Sequence, residues 1–220
     1  EPPIALKYQV WQAQLTVVYG EGVGSESLFL RHTYLATLAK LFASLVFGHA
    51  PSGNELDILT GSHFRSLGIE NFVEEDLFSW MLHPQTQAEA LVLLGKLRNQ
   101  LAEYDPAGFK EDLLKGLYQE LVDPQDRHQL GEFYTPDWLA EEMLRQQLDN
   151  KPALRLLDPA CGSGTFLFLA IRLMREALQK QGWNAAQILD HIQTNVIGVD
   201  VHPLPVLIAR TNYLIACAPL

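Results

Sequence analysis

Apolar residues recur at helical spacing through the first 120 or so positions. The stretch SESLFLRHTYLATLAKLFASLVFG begins on Ser25 and stops at Gly48, the serine-start and glycine-stop asymmetry of a helix. Between His49 and Gly68 the turn residues Pro51, Gly53, Asn54, Gly61 and Gly68 predict an irregular connection, or a short hairpin. Asn71 then stands three residues before Glu74, a capping signature ahead of FVEEDLFSWML, which puts Val73, Leu77, Trp80 and Met81 on one helical face. TQAEALVLLGKLRNQLAEY reads as a further helix, and Asp105-Pro106 as a cap plus first helical residue. Phe109, Leu113, Leu114, Leu117, Tyr118 and Leu121 supply the stripe that follows. Stripes of this kind are the core faces of packed helices, and none of them holds a catalytic cluster.

After Val122 the pattern changes. DPQDRHQLGE is polar and rich in turn formers, which predicts a boundary between a helical domain over 1–122 and a second domain over 123–220. A helix from Pro136 to about Leu148 and a turn over Asp149 to Pro152 lead into LRLLD, a short apolar run ending in an acid. A glycine-rich loop follows, then an amphipathic helix from Gly164 to Lys180, the β-branched run VIGVDV, and an apolar helix from Pro205 onward. Strand, helix, strand, helix argues for an α/β unit built on a parallel sheet with crossover helices. LRLL and VIGV are continuous apolar runs, as strands covered on both faces require.

Composition narrows the function. The chain has 220 residues, 48% of them hydrophobic, with a formal charge of −10, an ordinary globular composition. No run of Lys or Arg offers a nucleic-acid footprint, so this stretch alone is expected to bind nucleic acid poorly. Cys161 and Cys217 do not make a disulfide framework, and a reduced cytoplasmic setting is expected. The seven histidines and two cysteines show no metal-ligand spacing, so no metal site is expected. TYLATLAKLFASLVFG is interrupted by Lys40 and is too short for a membrane span. No signal peptide is evident, and the first residue, Glu1, with an abrupt stop at Leu220, reads as a fragment of a longer protein.

The chemistry concentrates in DPACGSGTFLFLA, from Asp158 to Ala170. An acid ends a strand, glycines flank Ser163, and a helix begins at once. Glycines there let the backbone turn sharply and approach a ligand, and ligands of parallel sheets bind beyond the carboxyl ends of the strands. Leu167 stands where a dinucleotide loop needs a small residue, which disfavours a diphosphate against the helix N-terminus. Asp200 ends the next strand, where a carboxylate can hold ribose hydroxyls; the plainer reading is a strand-end turn residue. Asp158 can meet a cationic amino group. A nucleoside without a diphosphate, with a cationic tail, fits these features, and S-adenosylmethionine is such a molecule.

DPACGSGTFL resembles the first cofactor motif of the adenine-N6 DNA methyltransferases, VIGVDVHPLPVLIARTN their second, and GEFYTP the Tyr-Thr-Pro motif that precedes both. The resemblance runs from about Tyr118 to Asn212, and the order of the motifs also fits. It implies the first half of a Rossmann-like S-adenosylmethionine-dependent methyltransferase sheet behind a helical N-terminal domain. It implies that Phe133, Tyr134, Thr135 and Pro136 line the amino-acid end of the cofactor. Asp158 would face its ammonium group, Ala160, Cys161, Gly162 and Gly164 would wrap the methionine and ribose, and Asp200 would hold the ribose hydroxyls, with Val201 or His202 near the adenine. Cys161 reads as a small filler and His202 as a turn residue. Thr135-Pro136 is also a plain helix start, so GEFYTP is a cap, a binding lip, or both.

The family's catalytic motif, Asn, Asp or Ser followed by Pro-Pro and an aromatic, is absent. That motif orients the adenine amine and stacks on the flipped base. The expectation is therefore donor placement without catalytic residues, with double-stranded DNA engaged by regions outside this chain. The systems that use such enzymes, restriction–modification and phage defence, imply a specificity or nuclease subunit or fused domain as partner. Rival readings are a methyltransferase acting on RNA or protein, and a non-catalytic helical scaffold.

Overall fold

Helix α1 (Pro3–Tyr19) sends Trp11 and Leu15 into an apolar interior, where both are buried. A computed structural model describes residues 3–47, 55–73, 77–103, 112–131, 134–149, 151–218 and 220. The chain groups into two units, Glu1–Pro106 with Gly116–Glu132, and Ala107–Lys115 with Phe133–Leu220. In the first, α2 (Glu26–Val46) starts where Ser25 predicts, because the serine hydroxyl accepts the Leu28 amide at 3.1 Å. Gly48, the predicted stop, lies outside the described residues. Trp11, Phe29, His32, Phe78 and Tyr118 form a chain of tilted and edge-on ring contacts through this core. Lys40 is 2% exposed, and its ammonium donates to the Leu59 carbonyl. No helix among the described residues is long and apolar enough to cross a membrane.

Two local expectations are overturned here. The connection after His49 contains no hairpin among its described residues; Glu55–Thr60 and Ser62–Ser66 are short helices, α3 and α4, separated by Gly61 at φ 80°. Pro51, Gly53 and Asn54 lie outside the described residues, as does Glu74. Asn71 does not cap a helix. It sits at φ 60°, outside the extended backbone a cap requires, and Phe72 and Val73 turn inward, Phe72 edge-on to Phe64 at 4.4 Å. Among the described residues that follow, before Gln87, Ser79–Leu82 forms a 3-10 helix. Helix α5 (Gln87–Leu101) forms as its period predicts.

Asp105, Pro106 and Phe109 lie outside the described residues. Helix α6 (Leu113–Leu121) is capped by Asp112, whose Oδ1 accepts the Lys115 amide at 3.0 Å. The polar segment after Val122 is itself partly helical. Asp123 caps α7 (Pro124–Gln129), with Pro124 in its first turn.

The second unit carries α8 (Asp137–Leu148), β1 (Leu156–Asp158), α9 (Thr165–Lys180), α10 (Ala185–Asn195), β2 (Val196–Gly198) and α11 (Pro203–Cys217). β1 and β2 pair in parallel, with Leu156 opposite Val196, Leu157 opposite Ile197 and Asp158 opposite Gly198. Helix α9 packs against α8 and α11, and α9 and α10 both contact β2. The unit is therefore mostly helical around a two-stranded parallel sheet. Val196 is buried, while Leu157, Ile197, Val199 and Val201 remain exposed, so one sheet face is covered and the other is bare apolar surface. Helix α10 was not foreseen. Its signal is nonetheless local: Asn184 and Gln187 form a reciprocal capping box.

Candidate functional site

The strand ends and the loop between β1 and α9 are tied together by backbone. Val199 donates to the Asp158 carbonyl at 2.9 Å and Cys161 donates to the Val199 carbonyl at 3.0 Å, so the pairing of β1 and β2 continues into the loop. Gly162 and Gly164 both lie in left-handed backbone, φ 53° and 83°, which side chains rarely adopt. Gly164 also needs to be bare for packing. A Cβ there would stand 3.0 Å from both Cα and Cβ of Ala209 on α11.

Asp200 anchors this loop. One carboxylate oxygen accepts the Gly162 amide at 2.9 Å, and the other accepts the His202 amide at 2.9 Å. Asp158 accepts the Ala160 amide at 3.2 Å. Cys161 lies close enough to both carboxylates to feel them. Burial, then Asp200, then Asp158 push its thiol up to about 12, so it is neutral and no nucleophile at physiological pH. His202 caps α11, its Nδ1 accepting the Leu204 amide at 3.2 Å. Burial pushes this imidazole down to about 4, against the pull of Asp200. Val201 and Ala160 are exposed at the rim of the loop.

The Tyr-Thr-Pro segment reaches the same loop. A Cβ on Gly162 would meet Tyr134 Cε1 at 3.8 Å, so the half-buried tyrosine lies beside the glycine. Helix α8 begins one residue later than the Thr135-Pro136 signal predicts. Pro136 is the N-cap, without a side-chain capping bond, and its carbonyl accepts Leu139 and Ala140. Phe133 lies outside the described residues. The structure thus brings Tyr134, Asp158, Ala160, Cys161, Gly162, Gly164 and Asp200 into one neighbourhood, with Thr135, Pro136 and Val201 continuous with it along the chain.

Sequence reasoning missed the polar cluster beneath the loop. Asp112, 3% exposed, accepts Ser163 Oγ at 2.6 Å, Thr165 Oγ1 at 3.0 Å and Asn212 Nδ2 at 2.7 Å. Asn212 also donates to the Ser163 carbonyl at 2.8 Å. Burial pushes the Asp112 carboxyl above its ordinary range, opposed by bonds from Ser163, the Lys115 amide and Asn212 and by the Lys115 charge. One turn on, Lys115 donates to the Thr135 carbonyl at 3.3 Å and pairs with Asp137 of α8. The Asp112 amide donates to the same Asp137 carboxylate at 3.3 Å. Two signals could have found this cluster: an aspartate directly before an apolar stripe, and Asn212 within a mostly apolar helix, an amide that needs partners when buried.

Residues 110–218 match the family described as N-6 DNA Methylase. Over 127 residues the chain is 33% identical to the Type I restriction enzyme EcoEI methylase subunit of Escherichia coli, which covers 56% of this chain and 24% of that protein. Over 117 residues it is 33% identical to the adenine-specific methyltransferase PglX of Streptomyces coelicolor, covering 50% of this chain and 10% of that protein. The matches thus span a quarter or less of either relative's length. No solved structure matches the chain.

Proposed function

Because residues 110–218 belong to the N-6 DNA methylase family, we propose that this chain is the S-adenosylmethionine-binding portion of an adenine-N6 DNA methyltransferase. One observation carries the reading: a left-handed glycine loop bracketed by Asp158 and Asp200 at the ends of two hydrogen-bonded parallel strands. Two carboxylates beside a neutral thiol create a site that favours a cation and repels a diphosphate. Each Asp200 oxygen takes one backbone donor, and a carboxylate oxygen has lone-pair capacity for a second, which suits ribose hydroxyls. When bound, the cofactor supplies a methyl group on a sulfonium centre.

The residues divide the work as follows. Asp158 holds the ammonium end of the donor, and Tyr134, Thr135 and Pro136, with Phe133, wall its amino-acid tail. Ala160, Cys161, Gly162 and Gly164 follow the methionine and ribose, Asp200 orients the ribose, and Val201 borders the adenine. This is catalysis by orientation. The residues that engage the adenine amine, and double-stranded DNA, belong to regions outside this chain, since it has no Pro-Pro-aromatic motif. The bare apolar face of the sheet supports its place as the first part of a Rossmann-like sheet. We read residues 1–122 as a helical N-terminal domain and 123–220 as the cofactor-binding part. The relative named as a methylase subunit of a restriction enzyme supports a restriction–modification or defence setting, and the proposal extends to a cytoplasmic location and a specificity or nuclease partner.

Calorimetry with S-adenosylmethionine tests the proposal. Asp200→Ala is expected to weaken binding by tenfold or more, and Tyr134→Ala by several-fold with little change in melting temperature. Equal affinity in Tyr134→Ala would reduce GEFYTP to a helix start. A wild-type chain that ignores the cofactor would sink the donor-binding reading.

A further inference from the structure

We propose that Asp112 and Lys115 are positioning residues: one helical turn that holds the glycine loop and the Tyr134–Pro136 segment in fixed register, so that donor affinity depends on side chains outside the donor-contact set. The inference rests on the donor-binding reading above.

The argument starts from connectivity. Ser163 and Thr165 flank Gly164, the residue whose left-handed backbone turns the loop into α9, and both hydroxyls donate to one oxygen of Asp112. Its other oxygen accepts Asn212 from α11 and the Lys115 amide. Asp112 therefore gathers the loop, the start of α9, and α11 around a single buried carboxylate. Lys115 leaves the same turn and takes hold of the Thr135 carbonyl and the Asp137 carboxylate, both at the start of α8. Tyr134, next in chain to Thr135, lies beside Gly162. Hence the Tyr-Thr-Pro segment and the glycine loop share a rigid anchor whose two ends are three residues apart.

Rigidity is what this arrangement adds. Removing one partner from a buried network leaves other polar groups unsatisfied, so the remaining members shift. A small displacement at a site that orients a reactant costs much of its affinity or rate. A purely structural role would behave otherwise, since lost packing loosens the whole unit together.

The test uses the intact 220-residue chain with Lys115→Met, Lys115→Arg, Asp112→Asn and the milder Thr165→Val. Calorimetry with S-adenosylmethionine is combined with hydrogen exchange of the ligand-free proteins. Lys115→Met and Asp112→Asn are expected to raise Kd by roughly tenfold or more, with Lys115→Arg recovering most of it. Exchange is expected to accelerate at residues 134–140 and 158–165, with α10 unchanged. If the wild type binds and every variant binds alike, the positioning role is wrong. Uniform acceleration that includes α10 also overturns it. If the wild type does not bind, the donor reading falls, and the exchange pattern alone decides: local acceleration at both segments upholds the shared anchor, and its absence rejects it.

Discussion

His202 shows how much one buried side chain fixes at the turn after β2. Its ring is 1% exposed, and Nδ1 must stay unprotonated to accept the Leu204 amide. Burial lowers its pKa to about 4 from an ordinary 6.5, so the folded chain keeps it neutral where the unfolded chain would take up a proton. The unfolded state therefore binds the extra proton between pH 6.5 and 4, and stability falls as pH drops through that window. A shift of this size corresponds to at most about 3 kcal/mol. Urea unfolding at pH 7 and pH 4.5 should show this loss in the wild type, and a shallower loss in His202→Asn, which can still cap α11. Matching pH profiles would mean that His202 does not titrate as its burial requires. The turn role of His202 was legible, because a residue before proline is steered out of helical backbone. The role of Asp112 was not, because an aspartate looks the same whether it caps a surface helix or gathers four donors in a core.

Between elements, α9 and β2 approach closely for a reason the sequence states in two separate places. A Cβ on Gly198 would stand 2.4 Å from Leu167 Cδ1 and 3.0 Å from Cys161 Sγ. Dinucleotide loops place their small residue on the helix. Here the helix carries Leu167 and the strand carries the glycine, so the close approach is kept with the sizes exchanged. Gly198→Ala is therefore expected to cost roughly 1–3 kcal/mol through overpacking. Leu167→Ala alone should cost roughly 2–5 kcal/mol, and Gly198→Ala should cost less in that background than in the wild type, the close contact with Cys161 remaining. Denaturant unfolding of the four proteins measures the coupling, and strict additivity would show that the two positions do not share space. The long elements were legible because their periods extend over several turns, as in α2, α5 and α9. The helix expected after Asn71 failed because a cap signature is local, whereas the burial of Phe72 and Val73 beside Phe64 and Gly61 is tertiary. No periodic reading separated α10 from its neighbours, although its capping box was present in the letters.

For the molecule as a whole, the motifs were legible because each is contiguous, while the anchor beneath them joins residues 51 and 100 positions apart. Charge is the property that belongs to the whole chain. Sixteen Lys and Arg against 26 Asp and Glu leave −10, and two of the basic groups, Lys40 and Lys115, are buried. Arg98 and Arg145 are engaged with Glu55 and Glu141. Non-specific DNA affinity comes from releasing counterions by phosphate neutralisation, which needs several free cations on one surface. The expectation is that this chain binds a short DNA duplex more weakly than about 10⁻⁴ M at physiological salt, with or without S-adenosylmethionine. Fluorescence anisotropy across a salt series measures it. Micromolar affinity that falls steeply with salt would mean that the fold gathers a basic face from dispersed residues, and DNA contact would then have to be assigned to this chain.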